Sequence, residues 1–275
     1  MAPVRLLIRS VMFFVFLLAT ALIAVAIAVT ERITGRSLPR AAIAQSCFRA
    51  YVRCLGLRVT VSGQQQAGPA LYLSNHISWT DIPVLGSLWP LRFLSKAEVA
   101  SWPVIGWLSR QAGTLYIRRG GGEAAAKRQD IAAALRDGES VLIFPEGTTS
   151  SGLTVLPFFP RLIGAAINAG VPIVPVSIAY LRNGEPCHLS PFIGDDGFHQ
   201  HAPRIMAAPG PEVRVICHPA VVPLAGESTR DLSNRVREVI LQGLKTTLQD
   251  AGVKGLPAAS SSSDACRTAM MSRSK

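Results

Sequence analysis

Acidic residues are scarce in this sequence. Only 17 Asp and Glu stand against 28 Lys and Arg, and charged residues of both signs make up 16% of 275 positions. So little charge beside 49% hydrophobic residues excludes a wholly disordered chain and points to contact with lipid. Cysteine is scarce too. Cys47, Cys54, Cys187, Cys217 and Cys266 form no CxxC pair and offer no zinc spacing with histidine. That excludes a disulfide framework or zinc ribbon and suits reduced thiols in a cytosol-facing protein. No internal repeat is present, and the length suffices for a sizeable domain with its own core.

The net charge of +11 is unevenly placed. Residues 1–60 hold eight Arg, no Lys and one acid, Glu31, for a net +7; residues 252–275 hold four bases against Asp264, for +3. Residues 61–251 are left with +1. A nucleic-acid enzyme carries its positive charge on the folded body, so this distribution argues for no nucleic acid and suits anionic lipid headgroups.

Between flanking arginines runs VMFFVFLLATALIAVAIAV (residues 11–29), whose one polar side chain is Thr20. As a helix it extends about 28 Å against a hydrocarbon core of about 30 Å, long enough to span. A cleaved signal peptide is the rival reading, with Arg5 and Arg9 as its basic head, although the apolar run is longer than such peptides usually carry. Arg32, Arg36 and Arg40 follow the run, so the charge bias assigns the rest of the chain only weakly to the cytoplasm. Residues 41–55 then space Ile43, Phe48, Tyr51, Val52 and Leu55 along one helical face, and Gly56 is the stop. This helix either lies on the membrane surface or packs on the domain.

Beyond Gly56, short β-branched or aromatic runs alternate with helical ones, which predicts an α/β fold: a mixed, largely parallel sheet flanked by helices. Strands are expected at 57–62, 70–73, 91–95, 113–118, 140–144, 173–180 and 212–218. Helices are expected at 79–88, 103–111, 123–136, 159–169 and 229–251, the last opening after Ser228. The chain thus divides into a membrane anchor with amphipathic helix (1–56), a folded domain (57–252) and a serine-rich tail read as disordered (253–275).

Four segments carry chemistry. LYLSNHISWTDIPVL (71–85) puts His76 and Asp81 just after a buried strand, where α/β enzymes keep their sites. An imidazole can take a proton from an attacking hydroxyl while a carboxylate on its other nitrogen fixes the tautomer. This is a serine-type triad with the serine replaced by the substrate's own alcohol. Ser78 is an alternative nucleophile, but no nucleophile-elbow pattern surrounds it. The plain reading is a capping box in which Asp81 only starts a helix. SVLIFPEGTTS (140–150) is a second strand ending in a turn, with Glu146, Gly147, Thr148 and Thr149 and their amides at its tip. Those groups suit a polar or anionic headgroup, or orientation of a base by Glu146; a salt-bridged turn is the plain alternative. GTLYIRR ends in Arg118 and Arg119, a pair suited to phosphate unless simply solvated. VPIVPVSIAY (171–180) is a buried strand whose Pro172 and Pro175 predict a bent or terminated sheet edge.

In order and chemistry these four blocks resemble the lysophosphatidic acid acyltransferase family, the 1-acylglycerol-3-phosphate O-acyltransferases and related glycerolipid acyltransferases, across roughly residues 70–180. NHISWTD is similar to the family's NHxxxxD block, which implies His76 as general base and Asp81 as its orienting partner, with Asn75 in the substrate site. GTLYIRR resembles the second block and implies Arg118 as a contact for the acceptor's phosphate. FPEGT resembles the third, implying that Glu146, Gly147 and Thr148, with Thr149 beside them, bind the acyl acceptor. VPIVPV resembles the fourth and implies Pro175 near the acyl-donor pocket. The family's third block often continues with arginine, where this sequence has Thr149 and Ser150. Arg118, Arg119 or Lys96 would have to replace that cation, or the acceptor is less phosphate-centred. FPEGTTS also resembles the neighbouring lyso-ornithine lipid acyltransferases.

The expectation is therefore a membrane-bound O-acyltransferase, facing the cytoplasm, that moves a fatty acyl group from acyl-CoA or acyl carrier protein to a lysolipid hydroxyl. Lysophosphatidic acid is the first acceptor and lyso-ornithine lipid the second. No metal and no bound cofactor are required by these residues. A hydrolase, or a non-catalytic lipid-binding protein using the same pocket, is the reading from another class.

Overall fold

A computed structural model describes residues 2–118, 122–194 and 196–253. The expected tail beyond Val253, and Arg119, lie outside these residues. Eight helices and eight strands are present among them: α1 (Ala2–Thr34), α2 (Arg40–Leu55), β1 (Arg58–Gly63), β2 (Leu71–Ser74), α3 (Asp81–Leu88), β3 (Leu91–Lys96), α4 (Ile105–Gln111), β4 (Leu115–Ile117), α5 (Ala124–Arg136), β5 (Ser140–Ile143), α6 (Gly164–Ala169), β6 (Ile173–Arg182), β7 (Glu185–Pro186), α7 (Phe198–Ala207), β8 (Glu212–Cys217) and α8 (Thr229–Asp250). The strands form one sheet in the order β1-β8-β6-β2-β5-β3-β4, with β7 folding back on β6. All pairings are parallel except β6 with β8 and with β7. The sheet is thus the mixed, mostly parallel one expected.

Both faces of the central strands are buried, so they are apolar at most positions rather than at alternate ones, with Ser74 and Ser177 as buried exceptions. Leu71, Leu73, Val141, Ile143, Ala179 and Leu181 face a core closed by α5, α6 and α8. Tyr72, Leu142, Val174, Val176, Ile178 and Tyr180 face the other, closed by α2, α3 and α7. Ser228 accepts the Asp231 amide at 3.1 Å and caps α8 where the sequence places its start.

Three expectations are corrected. The helix expected at 159–169 is a 3-10 turn (Pro160–Leu162) followed by the short α6. The prolines of VPIVPV do not mark an edge, since β6 lies mid-sheet between β2 and β8. Pro175 fits there because its missing N–H faces the segment after β8 has ended, between the Ile173–Val221 bridge and the His218 amide that donates to its carbonyl at 3.0 Å. The β2 ladder on its other side is intact, with Leu73 opposite Pro175. Third, α7 arises from a stretch without an expected element.

The helix α1 runs well past the apolar core of residues 11–29 and is about 50 Å long. One side packs on the domain: Phe13 and Phe16 meet Tyr51 of α2 at ring-centroid distances of 5.7 and 4.8 Å. Near its start, Arg5 donates to the Ala207 carbonyl at 3.0 Å, and Arg9 to Met206 and Ala208 at 3.2 and 2.7 Å. Near its end, Glu31 pairs with Arg40, which also donates to the Gln111 carbonyl of α4 at 3.0 Å. Several arginines that the sequence offers to headgroups are therefore bonded to protein, whereas Arg32, Arg36 and Arg53 are exposed. On α2, the side bearing Tyr51, Val52 and Leu55 packs into the domain core.

Candidate active site

The carboxyl ends of β2 and β5, adjacent parallel strands, set His76 beside the FPEGT turn. Contacts to ring and backbone hold the histidine. Its Nδ1 lies 2.7 Å from Asp81 Oδ2, and its ring stacks on Phe144 with centroids 3.9 Å apart and planes 14° from parallel. Its backbone N–H donates to Glu146 Oε1 at 2.8 Å, and its carbonyl accepts the Ser150 amide at 2.8 Å. The ring edge bearing Nε2 has no hydrogen-bond partner among the described residues, and the side chain is 19% exposed. Nδ1 is thus engaged by protein while Nε2 is left open, the orientation a general base needs.

Asp81 is fully buried and takes part in both roles the sequence allows. Oδ2 accepts the amides of Ile77 and Ser78 at 2.7 and 3.0 Å, so the carboxylate staples the turn that opens α3 while holding His76. Oδ1 accepts the Tyr180 hydroxyl at 2.7 Å, and that hydroxyl accepts one from Thr80 Oγ1 at 2.8 Å. Ser78 is 0% exposed and its Oγ has no partner among the described residues. A nucleophile needs both access and a base, and here Ser78 has neither.

Glu146 is almost wholly buried. Its oxygens accept the amides of His76 and of Leu156 (2.9 Å), and burial pushes its carboxyl up to about 8 against the downward pull of those two bonds. Arg237 of α8 holds the following segment by its Val155 and Leu156 carbonyls. Gly147 adopts φ +65°, and its amide is committed to the Phe144 carbonyl at 3.0 Å. The amides of Thr148 and Thr149 have no hydrogen-bond partner among the described residues. Thr149 Oγ1 donates to the Phe192 carbonyl, and Ser150 Oγ to the His76 carbonyl at 3.2 Å.

The remaining candidate residues lie further out or deeper. Asn75 is 0% exposed, and its amide clamps β2 to β6 by donating to the Ile178 carbonyl (3.0 Å) and accepting its N–H (2.9 Å). Pro175 is buried within β6. Arg118 is exposed at the end of edge strand β4, three strand spacings or about 14 Å across the sheet from β2; Lys96 ends β3, one spacing nearer.

Sequence reasoning missed Phe144, Tyr180 and Thr80, although each lies within one of the segments it singled out. It also missed His201 of α7, whose Nδ1 accepts the Trp79 indole N–H at 3.0 Å while Nε2 faces the Pro191 carbonyl at 3.1 Å. Burial lowers the pKa of this histidine, consistent with a neutral ring whose two nitrogens have opposite roles. No spacing links residues 79 and 201, so only the fold brings them together.

A family model for acyltransferases matches residues 58–179. A lyso-ornithine lipid O-acyltransferase of Pseudomonas aeruginosa is 38% identical over 87% of this chain and 93% of its own length. A 1-acyl-sn-glycerol-3-phosphate acyltransferase of Neisseria gonorrhoeae is 35% identical over 46% of this chain and 50% of its own. The crystal structure of the 1-acyl-sn-glycerophosphate acyltransferase PlsC from Thermotoga maritima superposes with a TM-score of 0.66 at 22% identity, covering 90% of this chain and 97% of that one. The sheet, the strand-end histidine and these matches define a class of acyl-transferring enzymes. The chain belongs to the acyltransferase family and is an O-acyltransferase, and its apolar α1 is a membrane-associating helix.

Proposed function

We propose that this enzyme acylates the free hydroxyl of a lysolipid directly, with His76 as general base, and that its acceptor is lyso-ornithine lipid. The observation that carries the chemistry is the buried Asp81 on Nδ1 of a histidine whose Nε2 is open. As Nε2 takes the hydroxyl proton, the alcohol oxygen attacks the thioester carbonyl, forming a C–O bond and a tetrahedral oxyanion. The unpartnered amides of Thr148 and Thr149 are the donors available for that oxyanion, and Gly147 is not, because its amide is spent. Collapse breaks the C–S bond, and the departing thiolate takes the proton back from the imidazolium. The donor is a thioester of coenzyme A or of acyl carrier protein. Asn75 and Glu146 act by holding His76 and its strand rather than by touching the acceptor.

Residues 149 and 150 support this choice of acceptor. Where the family often has a cation, Thr149 and Ser150 turn their hydroxyls to the Phe192 and His76 carbonyls and build no anion site. Arg118 stands well to one side. A headgroup bearing a carboxylate and an ammonium needs less cationic charge than a phosphate monoester. The Pseudomonas relative, matched over nearly its whole length, has the corresponding name. This reverses the order of acceptors that the sequence alone favours.

The bonds that fasten α1 to the domain near both ends favour a helix lying along the membrane interface over one crossing it alone, and use of a thioester of coenzyme A or acyl carrier protein favours a catalytic face toward the cytoplasm. Thiol release from acyl-CoA and from acyl carrier protein, measured with lyso-ornithine lipid and lysophosphatidic acid in parallel, tests the reading. His76→Ala is expected to lower turnover by about 10²- to 10⁴-fold with the fold intact. Faster acylation of lysophosphatidic acid would overturn the acceptor; thiol release that persists in His76→Ala would overturn the mechanism.

A further inference from the structure

The Asp81 carboxylate is saturated. Its Oδ2 faces His76 Nδ1 and two backbone amides, all from residues 76–78, so these bonds tie it only to its own loop. Among the described residues, the one donor that reaches it from the sheet is the Tyr180 hydroxyl on β6, at 2.7 Å from Oδ1. That phenol cannot turn away cheaply, because Thr80 Oγ1 donates to it at 2.8 Å and so leaves its own proton for Asp81. Thr80, Asp81 and Tyr180 are 1%, 0% and 4% exposed, so bulk water does not reach the carboxylate as a substitute partner. Burial, then the charge of Asp81, raises the phenol pKa well above its ordinary value, so it remains a donor.

We propose that Tyr180 is a positioning residue for acyl transfer: the chain Thr80–Tyr180–Asp81–His76 anchors the carboxylate to the sheet and thereby sets the orientation and basicity of the His76 imidazole. The inference rests on the reading of His76 as general base. Without the phenol proton, Oδ1 is a buried acceptor with no donor. The carboxylate then turns toward its remaining donors, and its undivided charge holds a proton on His76 more strongly.

Tyr180→Phe keeps the ring and deletes only the hydroxyl. Steady-state kinetics of the full chain with acyl-CoA and lysolipid are expected to give a kcat about tenfold lower, with both KM values within twofold. The acid limb of the kcat/KM–pH profile is expected to move to higher pH. Thr80→Val, which leaves the phenol in place but weakens it as a donor, moves kcat and the limb the same way by less. The double variant is no worse than Tyr180→Phe alone, because Thr80 acts through Tyr180. A merely structural role would lower the folded fraction without moving the limb, and would make the two losses additive. Should Tyr180→Phe not fold, Thr80→Val carries the same test. An unchanged limb and kcat in the folded variant, with His76-dependent wild-type turnover, overturns the role of Tyr180 alone. Wild-type turnover independent of His76 overturns the base itself.

Discussion

At the scale of residues, the proposed base is a histidine fixed on every side except its open Nε2 edge. Phe144 fixes the plane of the ring, Asp81 its rotation, and Glu146 with Ser150 the backbone beneath it. Glu146 does this at a cost that depends on pH. In the unfolded chain its carboxyl titrates near 4.5, and in the fold near 8. Between those values the unfolded chain has lost a proton that the folded chain retains, so stability from this group is full at low pH and declines as pH rises toward 8. Glu146→Gln has no such proton. The stability advantage of wild type over the variant, measured by thermal melting at pH 5.5 and pH 8, is expected to narrow at the higher pH; an equal gap at both would show that Glu146 does not titrate in this window. The variant is also expected to lose about tenfold in kcat, because an amide side chain accepts with one end only, and either His76 or Leu156 then faces an N–H.

At the scale of elements, α7 joins α1 to the loop that bears His76 and Asp81. Its C-terminal carbonyls receive Arg5 and Arg9 of α1, while His201 in its middle holds Trp79 two residues before Asp81. Arg9 serves as a C-terminal cation for α7 and bonds two carbonyls at once. Arg9→Ala is expected to cost about 1–2 kcal/mol, lowering the melting temperature by about 2–8 °C, and Arg9→Lys to recover only part of this. A melting curve unchanged by Arg9→Ala would mean that α1 is not docked this way. The elements legible in the sequence were those with strong periodicity and caps: all seven main strands fell within two residues of their expected bounds, and α8 began at its serine cap. What was not legible depended on neighbours. FHQHAPRIMA hides the buried face of α7 behind Pro203 and two histidines, one of which is fully buried by contacts remote in sequence. VPIVPV reads as an edge because nothing local reveals that β8 ends just where Pro175 lacks its donor. The same limit applies in the site: His76, Asp81 and Glu146 were visible as residues, but the phenol on Asp81 comes from 99 positions away.

At the scale of the molecule, the surplus of apolar surface is concentrated on one side. Leu7, Val11, Phe14, Leu18, Leu22, Val25 and Val29 recur every three or four residues along α1, and each is at least half exposed. This stripe faces away from the side that packs through Leu6, Phe13 and Phe16. The domain covers the other side of α1, so the bare stripe is the part of the helix left for lipid. Membrane binding should then scale with the bare stripe, aided by the exposed Arg32, Arg36 and Arg53 on anionic lipid. Leu18→Glu with Leu22→Glu alters two positions at 63% and 62% exposure, neither of them packed on the domain core. Co-sedimentation with anionic vesicles is expected to weaken at least tenfold, while turnover on detergent-dispersed lysolipid stays within twofold of wild type. Equal losses in both assays would mean that the stripe supports the fold rather than the membrane. Undiminished vesicle binding would mean that another surface anchors the enzyme, since two buried carboxylates in one turn of the stripe cannot enter lipid without a large desolvation cost.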